Sequence, residues 1–254
     1  MPPADWTQWI RPDYHGAPFV TFGGRHLVAM IAIALFGAYM LRHRGADEAT
    51  RRRGRLTLAV MLVVNELSWH VWAAYYIGWT ADKMLPLHLC SALIWVGAYT
   101  LVTMNAALYE FVYFMGIGGP LQAVLTPDAG QYGLPHFRAV QTLVSHGVLI
   151  VAALYLTVVE GMRPTWDSVQ RVILGTALYM ALVTVVNVAI GSNYMWTLGK
   201  PPVVSLLDVL GPWPWYLVPV IALGMLNVLL LYLPFWWADR HRARAAAARR
   251  TQGP

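Results

Sequence analysis

Seven apolar stretches, each near the ~20 residues a helix needs to cross a bilayer, divide this 254-residue chain. They fall at 25–41, 57–79, 86–104, 107–125, 137–159, 169–190 and 213–234. Charged residues make up only 12% of the chain, against the ~25% that covers a soluble domain. Hydrophobic residues reach 58%, which also excludes a disordered, collagen-like or disulfide-stapled chain. The sequence therefore predicts an all-α polytopic transmembrane helix bundle of about seven spans. The fourth stretch meets Gly116, Gly118, Gly119 and Pro120, so it is expected to be a broken span whose irregular backbone is buried in protein or lines a cavity. No cleavable signal peptide is expected. Residues 1–24 read as an interfacial arm with Trp6, Trp9 and Tyr14 at headgroup depth, 25–234 as the bundle, and 235–254 as a basic cytoplasmic tail.

The net charge of +6 sits in arginine clusters between apolar runs, a pattern that points to anionic lipid rather than nucleic acid. Arg42, Arg44, Arg51, Arg52, Arg53 and Arg55 share one side with Arg163, Arg171 and the tail arginines Arg240, Arg242, Arg244, Arg249 and Arg250. The other side holds Arg11, Arg25, Lys83, Arg138 and Lys200. The positive-inside rule then predicts an outer N-terminus and a cytoplasmic C-terminus, in the plasma membrane.

Ionisable groups inside spans are costly and point to function. They are Glu66 and His70, His88 and Cys90, Glu110, and His146. By helical rise Cys90 lies about 6 Å, and His70 and His146 roughly 13 Å, below the outer ends of their spans, so the three can share one layer. Glu110 belongs near the inner end. Glu66 and His70 are spaced i, i+4 and can pair, either as structural glue or as support for a site near His146. Cys90 by itself can be a small hydrophobe. As the single cysteine it excludes an intrachain disulfide. His88, two residues from Cys90, would point elsewhere on a helix at ~100° per residue and suits headgroup contact. His136 is expected to be solvated. No spacing fits a metal, and no metal or other cofactor is expected.

The segment GSNYMWTLGKPPVVSLLDVLGPWPWY (191–216) is rich in turn formers and interfacial tryptophans. Asn193 and Tyr194 are candidate donors or headgroup ligands, Lys200 a candidate partner for a lipid phosphate, and Asp208 a candidate helix cap.

The motifs LPLHLCSALIW (85–95), SHG around His146, and SNYMWTLGKPP followed by LLDVLGPWPWY, in that order, resemble the YwaF-like family of bacterial integral membrane proteins. That family is related to the eukaryotic transmembrane protein 164 family. The resemblance spans nearly the whole chain. It implies acyl transfer between phospholipids by a membrane-embedded Cys and His, which fall at Cys90 and His146. A more distant likeness is to androgen-induced membrane hydrolases, which cleave fatty-acid esters with a Thr and a His. Three readings stay open: a lipid acyltransferase or ester hydrolase acting on membrane phospholipids, a proton-coupled or lipid transporter using Glu66 and His70, and a non-catalytic scaffold. The transporter reading lacks an inverted repeat. Protein partners are not legible.

Overall fold

The structure is a computed structural model that describes residues 6–201 and 206–251. Among the described residues the regular structure is entirely helical. Eight α-helices follow in order: α1 (Gly24–Leu41), α2 (Glu48–Tyr76), the short α3 (Ala81–Met84), α4 (Leu89–Thr103), α5 (Ala106–Leu125), α6 (Phe137–Val158), α7 (Trp166–Ile190) and α8 (Leu217–Thr251). Single 3₁₀ turns lie at Trp6–Trp9, Tyr194–Trp196 and Leu206–Asp208. Five helices, α1, α2, α6, α7 and α8, are long and apolar enough to cross a membrane. The 15-residue α4 is apolar but only about 22 Å long.

Cap chemistry explains where the helices begin. The Asp47 side chain accepts from Thr50 N, so α2 starts nine residues before the apolar run, within the arginine cluster. Thr165 and Ser168 form a reciprocal capping box at the start of α7. The last helix begins after the GPWP turn and continues through Pro234, so α8 carries the basic segment as far as Thr251.

α6 is the most enclosed helix and packs against α1, α2, α4 and α5. The core runs along it through Leu149, Ala152, Ala153, Tyr155 and Leu156, meeting Leu58 and Leu62 of α2, Leu101 of α4 and Phe114 of α5. In water, the outward Leu174, Leu178, Leu182, Val185 and Val188 of α7 would form an unacceptable apolar face. A lipid-facing helix surface accounts for them, and the chain is a membrane-embedded helical bundle.

One expectation is corrected here. The glycines and Pro120 do not break the fourth stretch, because α5 is continuous from Ala106 to Leu125. The glycines instead admit neighbours. A Cβ on Gly118 would collide with the Asn227 amide, which donates to Phe114 O at 3.3 Å, and one on Gly119 would lie 3.6 Å from Cys90 Sγ. Tyr14 is buried against Trp9, Tyr132 and His136, while Trp72 Nε1 donates to Ile10 O. The arm thus seals one end of α2 and α6.

Candidate functional site

At that end of the bundle lies a cavity of about 580 Å³. Glu66, His70, His88, Cys90 and His146, drawn from three helices and one loop, all line it. Glu110 does not. It sits at the far end of α5, where it accepts from Ser168 Oγ at 2.8 Å and pairs with Arg171 at 2.6 Å.

Cys90 stands in the first turn of α4. The loop before it is fixed by tyrosines: Tyr179 donates to Leu87 O at 3.0 Å, while Tyr194 donates to Ala81 O at 2.6 Å and accepts from Leu85 N at 2.8 Å. His88 is the N-cap of α4, with extended backbone and no side-chain cap bond. Because His88 precedes the helix, the ~100° per residue spacing does not turn it from Cys90, and both residues line the cavity. The missing side-chain cap leaves the amides of Leu89, Cys90 and Ser91 without partners among the described residues. These N–H groups, at the positive end of the helix dipole, adjoin the thiol.

His146 comes from the middle of α6. One ring nitrogen, Nδ1, lies 2.7 Å from Thr142 O, one turn earlier on the same helix. A carbonyl only accepts, so Nδ1 carries the proton, and Nε2 keeps its lone pair. The backbone of α6, rather than a carboxylate, thus selects this tautomer. His88 has the opposite tautomer: its Nδ1 accepts from Met195 N at 3.3 Å, so the proton is on Nε2.

The His70 ring accepts from Trp79 Nε1 at 3.4 Å and turns Nε2 toward the buried Glu66 carboxylate at 3.7 Å. That separation permits an electrostatic contact but not a hydrogen bond.

The loop after α7 contributes differently from expectation. Asn187 is fully buried and satisfies all four of its polar positions, with Tyr194 O, Thr197 Oγ1, Ser192 Oγ and Tyr194 N. That anchorage holds Met195 and Trp196 at φ of 57° and 55°, a left-handed conformation that bulky residues rarely adopt. Met195 and Trp196, not Asn193 and Tyr194, therefore line the cavity. Asn193 closes its own turn, bonding Gly199 O and Leu198 N, and Tyr194 holds the loop before α4. Lys200 lies outside the cavity, 3.8 Å from Asp208 and above the Tyr216 ring. Asp208 ends a 3₁₀ turn ahead of the last helix.

His136 is likewise not solvated. It is the buried N-cap of α6, stacked on Tyr132, with Nδ1 accepting from Arg138 N and Nε2 donating to Arg11 O. Burial pushes its pKa below the ordinary imidazole value, and the nearby Arg138 charge adds to that shift.

Sequence reasoning missed the cavity wall beside His146. Arg138, Gln141, Thr142, Ser145 and His146 follow i, i+3, i+4, i+7, i+8 and form one polar stripe on an otherwise apolar helix. That spacing was a readable signal, although Arg138 entered only the charge count.

Fold and cavity define a class: a helical membrane protein with a cavity at one end of its bundle, lined by one thiol and three imidazoles. The family model described as the TMEM164 family matches residues 21–232, and the chain belongs to that family. It is similar to an uncharacterized protein of Treponema pallidum (strain Nichols), at 24% identity over 221 residues that cover 85% of this chain and 90% of that protein. No solved structure matches.

Proposed function

We propose that this protein moves a fatty acyl chain from a membrane phospholipid through a thioester on Cys90, with His146 as the base. The observation that carries the reading is the one cavity onto which the Cys90 thiol and the His146 ring, with its Nε2 lone pair free, both open. The thiol proton passes to His146 Nε2 as sulfur attacks the ester carbonyl. The carbonyl oxygen gains charge beside the unpartnered amides of Leu89, Cys90 and Ser91, which suit an oxyanion site. The ester C–O bond breaks, and the proton on His146 goes to the departing lysolipid oxygen. A second lysolipid hydroxyl or water, deprotonated by His146, then takes the acyl group and restores the thiol.

The same reading takes the bundle as seven spans in the plasma membrane, with the N-terminus outside, the C-terminus in the cytoplasm and the cavity toward the extracytoplasmic leaflet. The arginine asymmetry supports it, as does the position of the cavity at the end of α6 remote from the arginine cluster.

The test is covalent trapping: the purified protein is incubated with a radiolabelled-acyl phospholipid, and hydroxylamine-sensitive label is measured. Label is expected on the wild-type protein and none on Cys90→Ala. Phospholipid turnover by Cys90→Ala at the wild-type rate would sink the acyl-enzyme. The Glu66–His70 contact within the cavity favours a second reading, a proton-coupled transporter. Glu66-dependent proton flux in liposomes, without loss of acyl ester, would select it.

A further inference from the structure

We infer that Arg138 forms an anion subsite in the cavity and takes the phosphate of the lipid. Arg138 begins the polar stripe of α6, and its guanidinium carbon lies 3.7 Å from the centre of the Trp69 ring. Nη1 donates to Gln141 Oε1. Stacking on one face and this bond at one edge fix the guanidinium plane. A guanidinium has five N–H donors, so most remain available. No carboxylate of the described residues comes within 4.0 Å of it as an ion-pair partner. Two acidic side chains do line the same cavity, but Glu66 turns toward His70, and Asp128 is exposed at the rim. The half-buried cation thus presents a rigid fork to the chamber, without the bidentate carboxylate that such a fork ordinarily finds inside a protein.

The identity of the anion rests on the lipid-ester reading. Arg138 and His146 are two turns apart on α6, about 12 Å along its axis. A glycerophospholipid carries its one obligatory anion a few bonds from its ester carbonyls. Phosphate on Arg138 would hold the glycerol against the stripe and direct an ester toward Cys90 and His146. A cavity of about 580 Å³ suits a headgroup and glycerol, leaving the acyl tails to the bilayer. Arg138 replaces Lys200 in this role, since Lys200 lies outside the cavity.

The experiment measures equilibrium binding to Cys90→Ala protein in a maltoside detergent, which carries no phosphate. The ligands are a short-chain diacyl phosphatidylcholine, the matching diacylglycerol and inorganic phosphate. Phosphatidylcholine is expected to bind at least about tenfold more tightly than diacylglycerol, the scale of one charge-assisted hydrogen bond. Arg138→Gln is expected to erase that preference while leaving diacylglycerol binding unchanged. Arg138→Lys should recover only part of it, because an ammonium lacks the fork. Equal binding of the two lipids, or a preference that survives Arg138→Gln, overturns the subsite. Saturable, Arg138-dependent binding of inorganic phosphate without a phospholipid preference likewise overturns the lipid assignment and leaves a site for free phosphate. If Arg138→Gln does not fold, the comparison of lipids on the Cys90→Ala protein still decides. No step here is covalent, so a wild-type chain that never forms a thioester removes acyl transfer and leaves this result standing.

Discussion

The Nδ1 proton of His146 is committed to Thr142 O, so the ring can act on the cavity only through Nε2. His146→Ala is accordingly expected to lower acyl transfer by at least ~10²-fold, the usual scale of a lost general base, with little change in melting temperature. Comparison of initial rates with melting curves separates catalysis from folding. Glu66→Gln should reduce activity well beyond a surface substitution, because it removes the carboxylate facing His70. Full activity in that variant would detach the pair from the reaction. His136 predicts a pH effect. Its two hydrogen bonds require a neutral ring, since a proton on Nδ1 would face the Arg138 N–H. Its folded pKa is depressed, so below about pH 6.5 the unfolded chain takes up a proton that the folded chain resists, and stability falls with falling pH. Above that value this contribution is constant. The melting temperature should drop between pH 7.5 and pH 5.5, and the drop should be smaller in His136→Gln.

α5 shows how a helix with an unpromising sequence becomes a structural wall. Pro120 removes one backbone donor, yet α5 continues through it, and the adjacent glycines let α4 and α8 approach closely. Gly118→Ala should cost about 1–3 kcal/mol by forcing Asn227 from Phe114 O. Asn227→Ala would make room for the added methyl, so the double variant should be less destabilised than the sum of the singles. Chemical or thermal unfolding of all four proteins closes that cycle. At Gly119 an added Cβ makes only ordinary contact with Cys90 Sγ, so Gly119→Ala should keep its activity. The broken span expected from these residues came from reading Gly and Pro as breakers, when their use here is close packing.

Across the whole molecule, polar contacts fasten both ends of the bundle. At the end remote from the cavity Arg55 pairs with Glu160 at 2.7 Å, tying α2 to the segment after α6, with both side chains largely buried. Tyr155 donates to Arg51 O in the same corner. Replacing Glu160 alone with Gln leaves the buried Arg55 with only the exposed Glu48 carboxylate as its ion-pair partner. The expected cost lies below the ~3–5 kcal/mol of a buried charge left with no partner, and is read as a lower melting temperature. Substituting both partners with apolar residues should cost less. At the cavity end the N-terminal arm does the fastening, through Trp72, His136 and Tyr132. Reporter fusions are expected to place the two termini on opposite sides of the membrane. Detection of both on one side would reverse the reading from the arginine clusters.

Hydrophobic run length determined the all-helical membrane class, because a backbone in hydrocarbon must satisfy its own hydrogen bonds. Helical rise and residue type pointed to one layer for Cys90, His70 and His146, which all line the cavity, and i, i+4 spacing paired Glu66 with His70. Which groups meet across helices was a different matter. His88 joins the cavity because it caps α4 from outside, and Asn193 and Lys200 are spent elsewhere because Asn187 shapes the loop. The free Nε2 of His146, the open amides beside Cys90 and the fork of Arg138 likewise follow from tertiary placement. A sequence specifies period and depth along one helix. The azimuth of a loop residue, the tautomer of a ring and the partner of a charge are settled only when separate elements pack.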